Sequence, residues 1–211
     1  KLSPAEKRQN RDLSFFLSFD ANTVVADVAG GGRNSSTFKG ELGLRGISGF
    51  DGGNAFRREP GEQLRYPAAG NISPTQGTLS MWVMADNYSP MNVKMTDKNK
   101  FFKPYFLAVF QNERGDSIKL FIYQFFSMNR LMFYWEGKLY NSDSRSWCTS
   151  WAPLDTIGQK QWFLVTITWD KSEIKTFFNG RFCNKTKLPL LARQLDKMQI
   201  DANKSYMAFN E

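Results

Sequence analysis

Aromatic and polar side chains suited to holding a sugar are concentrated between residues 134 and 151. Trp147 and Trp151 flank Cys148 in a polar stretch that we expect to be a loop. Aromatic rings offer flat apolar faces for a pyranose ring, and amides, carboxylates and guanidinium groups bond hydroxyls. The predicted ligand-binding set is Tyr134, Trp135, Tyr140, Asn141, Asp143, Arg145, Trp147 and Trp151. Packing of these side chains within the loop, or an interface with another protein, is the reading that the sequence favours over ligand contact.

The residue types that the chain lacks exclude several kinds of catalysis. Histidine is absent from the 211 residues, and the cysteines are Cys148 and Cys183. Ser-His-Asp and Cys-His catalysis are therefore excluded within this chain, as is a zinc site, which two thiols cannot build without histidine. Both cysteines lie beside polar sequence, which favours a disulfide between them, with two buried free thiols as the alternative.

Carboxylates in the predicted strands are isolated from one another. Glu136 is the most interesting, while Glu113 and Asp170 fall at strand ends, where turn formation explains them. Glycoside hydrolysis usually needs two carboxyl groups on one face of a sheet. Because no such pair is evident, we expect that the chain is not an enzyme, and a divergent glycoside hydrolase is the least favoured reading.

The elements that must position these residues are β-strands. Phe163, Val165, Ile167 and Trp169 alternate with partly polar residues, as in a strand with one buried face. Asn179-Gly180 predicts a type I′ hairpin turn. Strands are predicted over 13–19, 78–84, 105–111, 117–126, 130–136, 161–170, 174–178 and from 181 onward. This pattern predicts an all-β protein of two packed antiparallel sheets.

Composition and charge indicate how the chain is divided into domains and which kinds of partner it can bind. Residues 1–12 predict a polar lead-in with a short helix, because Ser3-Pro4-Ala5-Glu6 is a capping-box pattern, and residues 13–211 predict one domain. No run approaches the roughly 20 apolar residues of a membrane span. The formal net charge of +8 is spread along the chain, which indicates a solvated basic surface rather than a nucleic-acid site. An anionic polysaccharide is the alternative partner.

Several segments, in order, resemble the concanavalin A-like, laminin-G-like jelly-roll superfamily. The segments are 17–20, 49–56, 77–83 and 161–170, the last followed by Phe177-Phe178-Asn179-Gly180-Arg181. The resemblance covers about residues 13 to 190 and implies a jelly-roll sandwich at the cell surface or outside the cell. It also implies a closing strand of Gly-x-Ile-Asp-Glu-Val type, which this sequence lacks. The strand is then absent, replaced by another part of this chain or contributed by other polypeptide, so we expect the chain to be part of a larger protein or assembly. A divergent last strand over 204–209 is the alternative.

The resemblance leaves the function open among three readings. Slightly favoured is a structural or adhesive module that contacts other protein chains or copies of itself. A lectin-like module that binds carbohydrate follows closely, and a divergent hydrolase comes last. Members of the superfamily often hold calcium, so Asp20, Asp27 and Asp51 are candidate ligands, with turn and cap roles as the alternative. We expect no other cofactor.

Overall fold

The computed structural model describes ten stretches of the chain. They are residues 13–19, 24–32, 37–39, 49–53, 55–56, 63–84, 102–125, 130–142, 145–153 and 161–209. Their strands are β1 Phe15–Phe16, β2 Val28–Ala29, β3 Thr37–Lys39, β4 Gln63–Pro67, β5 Gly77–Met84, β6 Phe102–Gln111, β7 Ser117–Phe125, β8 Arg130–Lys138, β9 Arg145–Pro153, β10 Trp162–Trp169, β11 Glu173–Phe178, β12 Arg181–Lys187 and β13 Tyr206–Phe209. A short helix, α1, covers Leu190–Leu195.

The strands form two main antiparallel sheets. The larger sheet has the order β3-β4-β13-β6-β7-β8-β9, and the smaller has the order β12-β11-β10-β5. A separate pair, β1-β2, accompanies them. The predicted all-β sandwich of two antiparallel sheets is therefore confirmed.

The core lies between the two sheets because each strand alternates its side chains. Leu131, Phe133 and Trp135 of β8 point inward, each 1% exposed. The inward residues of β10 meet them, and the rings of Phe133 and Trp169 are 6.3 Å apart across the sandwich. Trp169 also donates from Nε1 to the carbonyl of Ser73 at 3.1 Å, which satisfies its buried polar group.

The predicted hairpin between β11 and β12 is confirmed by its backbone. Asn179 and Gly180 have φ values of 47° and 77°, as both central positions of a type I′ turn require. The Asn179 side chain accepts a hydrogen bond from the Leu164 amide at 2.8 Å, and this bond ties the turn to β10.

A closing strand is present within the chain, while the expectation that the chain is part of a larger protein or assembly stays a prediction. β13 lies between β4 and β6 and pairs with both over its four residues. Met207 and Ala208 are buried, and the ring of Phe209 is 5.5 Å from that of Phe106. The alternative, a divergent last strand, is what the structure shows.

Other predictions differ from the structure or lie outside the described residues. The first predicted strand shrinks to Phe15–Phe16, and Phe19 has a positive φ of 62° that interrupts it. The stretch expected to be a polar loop around Cys148 is strand β9. The predicted lead-in helix over 1–12 lies outside the described residues. No helix in the described part of the chain is long and apolar enough to be a membrane span.

Candidate functional site

The solvent side of β7, β8 and β9 brings together residues that are far apart in sequence. Tyr134 of β8 lies opposite Phe121 of β7 and Thr149 of β9. The next rows of the sheet are Lys119–Glu136–Trp147 and Tyr123–Met132–Trp151. Directly paired residues share one face of a sheet, and the alternate residues of β8 fill the core. We call this outer side of the sheet, which carries Phe121, the largely buried Tyr123, Tyr134, Trp147 and Trp151, the aromatic face.

Four rings of the aromatic face contact one another across three strands. The ring centroids of Phe121 and Tyr134 are 4.4 Å apart, and those of Phe121 and Tyr123 are 5.6 Å apart. The ring of Trp147 stacks with that of Tyr134 at 5.9 Å and an interplanar angle of 16°. Because Trp147 is 60% exposed, the apolar surface of this row is open to solvent at β9.

Polar groups lie at the centre of the aromatic face. The Tyr134 hydroxyl is 3.5 Å from Oε2 of Glu136, and Lys119 Nζ lies 3.3 Å from Oε1 of the same carboxylate. Burial, followed by the nearby Glu136 charge, raises the pKa of Tyr134 to about 12. The phenol therefore stays protonated at neutral pH and can donate a hydrogen bond, while Glu136 can accept one. Donor and acceptor groups beside flat rings suit a polyhydroxylated ligand.

Two arginines border the aromatic face at opposite ends of β9. Arg130 lies opposite Pro153, and its guanidinium carbon is 4.2 Å from the ring centroid of Trp151. Arg145 is exposed at the first position of β9, two residues before Trp147 and on the same side. Guanidinium groups in such positions present several fixed donors to a ligand.

The structure brings together half of the predicted ligand-binding residues. Tyr134, Arg145, Trp147 and Trp151 share the aromatic face, although on strands rather than in a loop. Trp135 does not belong with them, because it points into the core and is 1% exposed. The alternation of β8 explains the difference, since Trp135 has the same parity as Leu131 and Phe133.

The remaining predicted residues lie beyond the end of β8. Tyr140 is 65% exposed, and its backbone amide donates to Asp116 Oδ1 at 2.9 Å. Asn141 is exposed in the same turn, and Asp143 lies outside the described residues. No described contact joins Tyr140 or Asn141 to the aromatic face.

The sequence analysis missed Phe121, Tyr123, Lys119 and Arg130 as members of the face. A signal for two of them existed. Ile118, Leu120 and Ile122 alternate along β7 and belong to the main core, so Phe121 and Tyr123 lie on the opposite side of the strand. Which strand lies beside β7 is a matter of topology, and the sequence pattern alone does not give it.

The predicted disulfide is absent, because both cysteines are free thiols in the structure. Cys148 is on the inward side of β9 and Cys183 is on β12, and both pack against the core. Burial raises the pKa of Cys148 to about 12, and burial also raises that of Cys183. The alternative, two buried thiols, fits the structure.

The predicted calcium ligands are only partly described. Asp27 Oδ2 accepts the Ser18 amide at 2.8 Å, and Asp51 Oδ1 accepts the Gly53 amide at 3.1 Å. Asp20 lies outside the described residues, so the trio stays a prediction. Among the described residues, no group of three or more acidic, cysteine or histidine side chains is placed to hold a metal ion.

Aromatic residues are also exposed on the outer side of the smaller sheet. Trp82 is 41% exposed and stacks on Phe50 with ring centroids 3.5 Å apart. Its alternation along β5 puts Val83, not Trp82, inside. Phe182 is 57% exposed on β12 of the same sheet.

Comparisons with known proteins find similarity at the level of structure. No protein-family model and no curated protein sequence matches the chain. Domain 4 of AbnA, an extracellular arabinanase from Geobacillus stearothermophilus solved with arabinotriose, is similar with a TM-score of 0.49 and 13% identity, covering 93% of this chain and 82% of that one. The endo-β-1,3-glucanase of Pyrococcus furiosus is similar with a TM-score of 0.39 and 14% identity, covering 78% of this chain and 59% of that one. The β-agarase A of Zobellia galactanivorans is similar with a TM-score of 0.40 and 6% identity, covering 71% of this chain and 54% of that one.

These comparisons correct the expectation that the chain is not an enzyme. Similar structures include the glucanase, the agarase and a laminarinase catalytic domain, so the expectation is withdrawn. The chain spans between half and three fifths of the length of these enzymes. At such identities the likeness concerns the arrangement of strands and not the reaction.

Proposed function

We propose that the aromatic face binds a carbohydrate polymer, outside the cell or at its surface. The observation that carries the proposal is the row of contacting rings that ends at the exposed, stacked Trp147. Flat apolar rings beside hydrogen-bonding groups match a sugar, whose ring faces carry C–H groups and whose edges carry hydroxyls. This replaces the slightly favoured reading of a structural or adhesive module, which had rested on a missing strand.

The extent of the face suits several sugar residues rather than one. Trp147 and Trp151 are four positions apart on β9, which corresponds to about 13 Å along a strand. Between and beside them lie the Tyr134 hydroxyl and the carboxylate of Glu136. A chain of sugars running along β9 would meet a ring, then polar groups, then a second ring.

Removal of single rings tests the proposal. Trp147→Ala and Trp151→Ala should each weaken polysaccharide binding at least about fivefold, because central aromatic anchors at binding surfaces contribute more than about 1 kcal/mol. Binding is measured by affinity electrophoresis and calorimetry on a panel of soluble polysaccharides. Trp82→Ala is the matched control, because Trp82 is also an exposed, stacked tryptophan but lies on the other sheet.

The pattern of losses decides the outcome. Weaker binding in both β9 variants, with the control unchanged, supports the proposal. Equal effects of all three substitutions, or no binding to any polysaccharide, would refute it. The same samples are tested for hydrolysis by measuring the release of reducing ends from the polysaccharide. Glu136→Gln is compared with the parent in this assay, because Glu136 is the carboxylate on the described part of the aromatic face.

A further inference from the structure

Positive charge is concentrated around the aromatic face. Among the described outward positions of β7, β8 and β9, one carboxylate, Glu136, is accompanied by four cations: Lys119, Arg130, Lys138 and Arg145. Glu136 is already engaged by Lys119 at 3.3 Å. The described part of the face therefore carries an excess of positive charge beside its stacking rings.

The two arginines are available to a ligand. No described acid forms an ion pair with Arg130 or Arg145. The guanidinium of Arg130 lies over the ring of Trp151, 4.2 Å from its centroid. Stacking occupies the face of a guanidinium and leaves its N–H edge free for a bidentate oxyanion. Arg145 is exposed beside the Tyr134–Trp147 stack, close enough for its charge to oppose the rise in the pKa of Tyr134.

The distance between the arginines indicates a repeating ligand. Arg130 lies opposite the last residue of β9, and Arg145 is the first residue of that strand. Eight residue steps along a strand correspond to about 26 Å between the two backbone positions. The guanidinium of Arg130 lies back over Trp151 and the charge of Arg145 acts on Tyr134, so the charged groups are closer together than the backbones. A polymer with acid groups at intervals suits this arrangement, with its sugar rings on the tryptophans between the arginines.

We propose that the ligand of the aromatic face is an anionic polysaccharide, whose carboxylate or sulfate groups are bound by Arg130 and Arg145. This inference rests on the proposed carbohydrate-binding function and names the substrate class. A nucleic acid is the less favoured polyanion. Single-stranded nucleic acids bind in continuous positive grooves that follow the phosphates, whereas the centre of this face carries the carboxylate of Glu136.

Polymers that differ in charge alone provide the test. Polygalacturonate is compared with its methyl ester, dextran sulfate with dextran, and a single-stranded oligonucleotide is included. At about 50 mM salt the charged member of at least one pair should bind about tenfold more tightly than its neutral partner. This advantage should shrink at about 500 mM salt, because ions screen exposed charges. The pair that responds distinguishes carboxylate from sulfate recognition.

Charge-removing variants assign the effect to the face. Arg130→Gln and Arg145→Gln should each weaken binding of the charged polymer about fivefold more than they weaken binding of its neutral partner. Lys185→Gln, an exposed cation on β12 of the smaller sheet, is the matched control and should change neither. Thermal unfolding of each variant confirms that the fold is retained.

The outcomes separate this inference from the proposed function. If neutral and charged polymers bind equally, and Trp147→Ala weakens both, the inference is refuted while the proposed function stands. If no polysaccharide binds, both are refuted. Tighter binding of the oligonucleotide than of either anionic polysaccharide would also overturn the inference.

Discussion

At the scale of single residues, the parity of a side chain along its strand decides its role. Trp135 and Trp147 are both aromatic and lie on neighbouring strands, yet one is 1% and the other 60% exposed. Gly137 shows how tightly the inward side of β8 is filled. A Cβ there would lie 2.5 Å from the ring of Trp135 and 2.9 Å from Leu195 of α1. The outward side has the space and the polar groups for a ligand.

The cysteines give a prediction at this scale. We expect two free thiols per chain after denaturation without reductant, counted with a chromogenic disulfide reagent. In the folded Cys183→Ser variant, Cys148 should react about a thousandfold more slowly than an exposed thiol. The reason is that burial raises its pKa from 9.0 to about 12, and the thiolate is the reactive form. Failure to detect thiols in the denatured, unreduced protein would contradict the free thiols and support a disulfide between the two cysteines.

At the scale of elements, those set by local sequence signals were predicted well, and those that depend on contacts between distant residues were predicted poorly. The β11–β12 hairpin followed from Asn179-Gly180, because the turn residues themselves set its geometry. β9 was missed because its tryptophans face solvent, while Ser150 and Cys148 face inward. The buried Ser150 hydroxyl accepts from Thr176 of β11 at 2.7 Å and donates to the Asn184 carbonyl at 3.4 Å, and both partners are distant in sequence.

The turn between β10 and β11 carries a prediction about pH. Asp170 Oδ1 accepts hydrogen bonds from the hydroxyl and amide of Ser172, both at 2.7 Å, and from the Glu173 amide at 2.9 Å. These bonds, the Ser172 hydroxyl first, lower the pKa of Asp170. Since the folded pKa lies below the unfolded value of about 3.9, the stabilisation is present above that pH and disappears as the pH falls through the folded value.

Asp170→Asn is therefore expected to lower the melting temperature at pH 7 by a few degrees, with a smaller difference at pH 4 and the smallest near pH 2. A loss of about 0.5–1 kcal/mol is the expected size for charge-assisted bonds at an exposed turn. Calorimetry of parent and variant at the three pH values measures it. A difference that does not change with pH would show that the substitution acts through shape and not through charge.

At the scale of the molecule, the sandwich and most of its strands could be predicted, but the order of strands in the larger sheet could not. β13 has four residues and no Gly-x-Ile-Asp-Glu-Val motif, so the sequence offered a strand over 204–209 only as an alternative and gave no partners for it. Its position between β4 and β6 is fixed by burial of Met207 and Ala208 and by the contact of Phe209 with Phe106. The aromatic face shares this sheet, so the site depends on contacts made by the last described residues.

The last strand gives the prediction at this scale. A chain that ends at Ser205 lacks β13, so β4 and β6 lose their shared partner and the core loses Met207 and Phe209. Removing a central strand costs more than the roughly 5–15 kcal/mol that stabilises a typical domain, so we expect an insoluble or unfolded product. A chain that ends at Phe209 is the control and should unfold cooperatively, as followed by circular dichroism. If the shorter chain also melted cooperatively and bound polysaccharide, β13 would not be the strand that completes the sheet.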